Sequence, residues 1–176
     1  MQNKIDIVVV GKLKTNCYII TNKSNECIIV DPGDEAKKII REIGNKKVVA
    51  IFVTHSHFDH VGALEDIKVK YNVPINPKLI DNFSYEIIST PGHYFDSITF
   101  YFKEDKMMFV GDCVFKKAIG RTDMVGANNE DMINSLNKIK KYPGDTIIYP
   151  GHGEKTTIEN EIDSINLNIN YLYYNL

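Results

Sequence analysis

Three histidines fall within one run of six residues, His55-Ser56-His57-Phe58-Asp59-His60, and this run restricts the fold more than any other feature of the chain. It follows an apolar stretch, Val48-Val49-Ala50-Ile51-Phe52-Val53, that ends in Thr54. In extended backbone, residues two apart project the same way. His55 and His57 therefore aim at one point just past the end of a strand. The chain then turns toward a helix expected over 61–71, and the turn directs Asp59 and His60 to a second point nearby. With histidine at roughly one position in forty, three in such a window do not arise by chance. A solvated histidine-rich tract explains neither the preceding strand nor the Asp inside the run. The run reads as metal-binding.

The two remaining histidines repeat the same placement. His93 follows a strand expected over 85–89 through Thr90-Pro91-Gly92, and His152 follows one over 146–149 through Pro150-Gly151. Asp112 follows the apolar stretch 106–110 through Gly111. Glycine directly precedes all three, which permits tight turns and close backbone approach. If the strand ends gather at one edge, five histidines and two aspartates converge. Imidazole and carboxylate without thiolate suit zinc, and also iron or manganese. Seven ligands exceed one tetrahedral ion. They fit two divalent metal ions that share a carboxylate, each keeping an open position for water.

Period-two apolar patterns predict further strands over 4–10, 17–21, 26–30, 48–54 and 97–102, with turns at 22–25 and 103–105. Helices are predicted over 34–43, 130–142 and 157–174. The first carries Ala36, Ile39, Ile40 and Ile43 on one face and stops at Gly44. The last carries Ile158, Ile162, Ile165, Ile169 and Leu172, with Thr156 and Glu159 read as its capping box. Its stripe packs on the domain or forms a seam between copies, so monomer and homodimer both stand. Hairpin-linked strands among helices predict an α+β chain, two sheets covered by helices, in a single domain spanning 1–176.

Composition removes several function classes. The net charge of -2, with 25% charged residues, provides no basic surface for nucleic acid and leaves a small-molecule substrate as the expected partner. Cys17, Cys27 and Cys113 are scattered, which argues against a disulfide framework and for buried apolar roles. The opening residues lack a secretory pattern and no apolar run reaches membrane length, so the expectation is a cytoplasmic protein without a membrane partner.

The HxHxDH run at 55–60, with Gly92-His93, Gly111-Asp112 and Pro150-Gly151-His152 in order behind it, resembles the metallo-β-lactamase superfamily. Thr15-Asn16-Cys17-Tyr18 and Val30-Asp31-Pro32-Gly33 resemble its opening hairpin and βα turn. The resemblance implies a four-layer αββα sandwich with metals at one edge. It places one metal on His55, His57 and His93, and the other on Asp59, His60 and His152, with Asp112 bridging. It also implies a catalytic role for Asp59 in orienting the attacking hydroxide.

Within that superfamily, Gly120-Arg121-Thr122-Asp123 and Tyr149-Pro150-Gly151-His152-Gly153 resemble the glyoxalase II-like, or hydroxyacylglutathione hydrolase-like, enzymes, closest to their short bacterial members. This implies a thioesterase acting on hydroxyacyl-thiols or related esters through a metal-held hydroxide. Arg121, with Lys116 and Lys117, would meet an anionic substrate end. The plainer reading pairs Arg121 with Asp123 to brace the loop. There are departures. The family's PGHTPGS stands here as Pro91-Gly92-His93-Tyr94-Phe95-Asp96-Ser97, the segment between His60 and His93 is short, and the helical C-terminal domain has no counterpart after His152. A reshaped pocket is expected. Lactamase activity is disfavoured, because Asp112 stands where the best-known lactamase subclass has Cys. An iron-dependent persulfide dioxygenase-like oxidoreductase and a lactonase are the alternatives.

Overall fold

In the computed structural model, which describes residues 3–175, the strands form two stacked sheets. The first has the order β1 (Lys4–Val10), β2 (Thr15–Thr21), β3 (Glu26–Val30), β4 (Lys47–Phe52). Its first three strands are antiparallel, and β4 runs parallel to β3 after the crossover helix α1 (Ala36–Ile43). α2 (Phe58–Val61) and α3 (Leu64–Tyr71) follow. The second sheet uses β5 (Glu86–Ser89), β6 (Ile98–Phe102), β7 (Met107–Gly111), β10 (Ile147–Pro150) and β11 (Thr156–Thr157), in the order β11-β10-β7-β6-β5. A small hairpin, β8 (Val114–Phe115) and β9 (Ala118–Ile119), precedes α4 (Asn129–Ile139). α5 (Ile158–Tyr173) closes the described chain.

Alternation along each strand builds the layers. In β2, Tyr18 and Ile20 join a core cluster with Phe100, Phe102 and Phe109 of the other sheet, while Cys17 and Ile19 join Ile39, Ile43 and Ile67 of the helices. In β7, Phe109 faces the sheet-to-sheet core while Met108 and Val110 face Leu136, Ile139 and Ile165 of α4 and α5. Each sheet therefore buries one face on the other sheet and one on helices, which is the αββα order. Phe52 and Phe100 stack across the central layer with ring centroids 3.9 Å apart. The stripe on α5 is used internally, with Ile158, Ile165, Ile169 and Leu172 all buried. No helix among the described residues is long and apolar enough to cross a membrane.

Several boundaries differ from expectation. The strand expected over 48–54 ends at Phe52, because Thr54 leaves the sheet and gives both its N–H and its hydroxyl to the Asp31 carboxylate, each at 2.7 Å. The helix expected over 61–71 is two helices broken at Gly62-Ala63. There the chain lies so close to Gly33 that a Cβ on Gly62 would sit 2.3 Å from the Gly33 carbonyl oxygen. The cap of α5 is Thr157, not Thr156. Pairing of β11 with β10 holds Thr156 extended, so the helix begins one residue later and the Thr156 hydroxyl donates to Glu161 instead. α4 begins one residue early, capped by Asn128, and ends at Ile139 rather than 142.

The parallel pairs β3–β4 and β7–β10 bring the C-terminal ends of β4, β7 and β10 to one edge of the sandwich. Antiparallel steps through β6 turn β5 the same way. The β1–β2 turn reaches that edge as well, where Asn16 N–H donates to the Gly151 carbonyl at 2.7 Å.

Candidate metal centre

All seven side chains singled out by the sequence meet at this edge. His55 and His57 lie just past β4, Asp59 and His60 in α2, His93 past β5, Asp112 past β7 and His152 past β10. Three sets could each hold an ion, with ligand atoms within 4.8 Å of one another: His55, His57 and His93; His55, His60 and Asp112; and Asp59, His60 and His152.

In the first set, His55 Nε2 and His93 Nε2 lie 3.1 and 3.0 Å from His57 Nδ1. The outward nitrogens are engaged elsewhere. His93 Nδ1–H donates to the Arg121 carbonyl at 3.0 Å, and His55 Nδ1–H donates to the Thr54 hydroxyl at 3.1 Å. Such contacts fix the tautomer and leave a lone pair facing inward. Burial, with the neighbouring His60, pushes His55 down to about 3, and burial and the nearby His93 lower His57. His55 and His57 are therefore neutral donors.

The set of Asp59, His60 and His152 differs. Asp59 Oδ2 lies 3.2 Å from His152 Nε2 and accepts the Thr15 hydroxyl at 2.8 Å. His152 Nδ1–H donates to the Leu13 carbonyl at 3.1 Å, and His60 Nδ1–H donates to Asp31 Oδ2 at 2.9 Å. Burial alone would lower His60, but Asp31 and Asp112 outweigh it and push it up to about 10. Hydrogen bonding to Asp112 and Asp59 pushes His152 to about 10. Burial would raise Asp59 and Asp112, yet their bonds to His152 and the proximity of His60 hold both well below the usual carboxylate range. This half of the site draws positive charge.

Asp112 lies between the two sets. Its Oδ2 is 3.5 Å from His93 Nε2 and from His152 Nε2, and its Oδ1 is 3.4 Å from His60 Nε2. Both His60 Nε2 and Asp112 Oδ1 are buried without a hydrogen-bond partner among the described residues. A buried polar atom left unpaired costs about 1–3 kcal/mol. Cations bonded to these two atoms would satisfy both, so the donor set fits a pair of divalent metals.

Glycine makes the approach possible. A Cβ on Gly151 would fall 2.1 Å from Asp112 Oδ1, and Gly111, at φ 52, would place one 2.4 Å from the Thr54 hydroxyl. Neither backbone could come so near with a side chain attached.

Sequence reasoning did not give Asp31, Thr15 or Thr54 a part in the site. Asp31 had the signal: it too follows an apolar strand, β3, and precedes Pro32-Gly33. Arg121 is exposed and bound to Asp123 through Nε at 2.7 Å and Nη2 at 3.0 Å, so its carbonyl, not its side chain, reaches a ligand. Lys116 is ion-paired with Glu154. Cys113 is buried in the core beneath α4 and α5. A cleft of about 510 Å³ opens over His57, Asp59, His93, Asp112 and His152.

The sequence matches the profile of the Metallo-beta-lactamase superfamily over residues 10–76 and 78–152. It is 31% identical over 195 residues to the probable metallo-hydrolase YqgX of Bacillus subtilis, covering 88% of this chain and 92% of that protein. It is 32% identical over 201 residues to the hydroxyacylglutathione hydrolase GloC of Haemophilus influenzae, covering 89% and 94%. Among solved structures, the BLEG-1 B3 metallo-beta-lactamase superposes with a TM-score of 0.87 at 29% identity, over 91% of this chain and 97% of that one. TTHA1623 in a di-iron-bound form superposes with a TM-score of 0.82 at 27% identity, over 90% and 98%.

Proposed function

The chain belongs to the metallo-beta-lactamase superfamily, and from that footing we propose that it is a dinuclear hydrolase that cleaves thioesters of the hydroxyacyl-thiol kind, or closely related esters. The observation that carries the reading is Asp112, set between two triads of His and Asp side chains, with its Oδ1 and His60 Nε2 both buried and without a hydrogen-bond partner among the described residues. His55, His57 and His93 would hold one ion, Asp59, His60 and His152 the other, and Asp112 both. When bound, two divalent cations acidify water and polarise a carbonyl oxygen.

The protein's own groups do the rest. Asp59, ionised and fixed by the Thr15 hydroxyl, can accept a hydrogen bond from the attacking water and orient it. Asp31 and the Leu13 and Arg121 carbonyls hold three ligand rings in one tautomer, so these rings need not reorient during reaction. In the reaction, the water oxygen bonds to the acyl carbon and the carbon–sulfur bond breaks. One water proton goes to the departing sulfur and the other is released from the acid formed.

The test is metal stoichiometry on protein purified without added metal, then a screen of thioesters, lactones and β-lactams; the likeness to BLEG-1 brings in the last. Two zincs and thioester cleavage are expected. One iron per chain supports the second reading, an iron-dependent oxidoreductase; the di-iron-bound form of TTHA1623 is the reason to assay iron beside zinc.

A further inference from the structure

Five apolar side chains, Leu13, Phe58, Phe115, Ile119 and Met124, line the cleft beside the ligands. Leu13 is 54% exposed and Phe58 75%, although each adjoins buried structure, and the Phe115 ring stands 6.2 Å from the His152 ring. Apart from the histidines of the metal centre, the only basic side chain among the lining residues is Arg121, and Asp123 occupies its guanidinium through two hydrogen bonds. An exposed ion pair is weak in water, so an anion can compete for Arg121, but Asp123 stays beside it and cancels its charge. Lys12 borders the adjoining groove in company with Asp34 and Asp59. Lys116 is held by Glu154. A substrate with carboxylates away from the scissile bond finds no uncompensated cation in the cleft lining, whereas an alkyl or aryl group finds apolar surface to cover.

Resting on the hydrolase reading above, we infer that the substrate group lying over these five side chains is apolar and uncharged, and we place it on the sulfur side of the scissile bond, so that the cleft disfavours glutathione as the leaving thiol. Full burial of one CH2 group contributes about 0.8 kcal/mol, roughly a fourfold effect. In an open cleft a smaller gain is expected.

The experiment uses metal-loaded protein and one 2-hydroxyacyl group joined to ethane-, butane- and hexanethiol and to glutathione. The expected result is a kcat/KM that rises about two- to threefold per methylene and exceeds that of the glutathione thioester at least tenfold. Phe58→Ser should flatten the rise by increasing KM for the longer thiols. Ketone analogues, with CH2 in place of sulfur, give a second readout without turnover, and calorimetry should show the hexyl ketone binding more tightly than the glutathione one. Preference for glutathione in both measurements overturns this inference and leaves the hydrolase reading standing. Failure to cleave any thioester with two metals bound overturns the hydrolase reading, and equal binding of the two ketones then overturns the apolar preference as well.

Discussion

His55 and His57, which burial keeps unprotonated, meet His93 at one point, whereas Asp59, His60 and His152, just across Asp112, sit in a negative field that draws protons onto the two imidazoles. Both halves are built largely of histidine, and the difference lies behind the rings. His55 is backed by a neutral Thr54 hydroxyl, while His60 is backed by the Asp31 carboxylate. A ring backed by a carboxylate is the more basic ligand, and Asp59 adds a full negative charge to its half. The lesson is that one ligand type can give two unequal cation sites when the second layer differs. The half with Asp59 should hold its ion more tightly.

Four experiments sharpen or break this contrast. Asp112→Ala removes the group common to both halves; it should lose both ions and lower hydrolysis about a thousandfold or more. Two ions retained in that variant, measured by elemental analysis, would refute a shared ligand. Complete chelation should lower the melting temperature by about 20 °C, since each of two ions at a thousand times its Kd adds about 4 kcal/mol and 1 kcal/mol moves a chain of this size by about 2–4 °C. Equal melting curves with and without chelator would count against filled sites. Asp31→Asn should weaken metal binding by about 10–100-fold in the Asp59 half and less in the other, which Asp31 reaches only through the Thr54 hydroxyl behind His55, while His57→Ala should act on that other half. In competition with a graded chelator, the first ion lost from the unaltered protein should be the one on three histidines. If Asp31→Asn loosened both ions equally, the asymmetry would be wrong. The smallest effect belongs to Arg121→Ala. An exposed pair is screened by solvent, so the melting temperature should move by no more than about 4 °C, with His93 still held by the backbone carbonyl at 121. Loss of metal in that variant would give the side chain a part in the site that the geometry does not.

The His and Asp side chains that converge, their strand-end positions and the layered α+β pattern were all readable along the chain, because residue chemistry and period-two burial are local properties. The split of the expected 61–71 helix was not readable, because it depends on the approach of Gly62 to Gly33, a contact between distant segments. The same holds for Thr157 as the cap of α5, which follows from pairing between β10 and β11. Which nitrogen of each histidine faces inward, that Asp31 and Thr15 brace the ligands, and that Arg121 is occupied by Asp123 were decided only when the two sheets closed on one another. Hydrogen-bond partners remote in sequence are chosen by packing, and no local pattern encodes that choice.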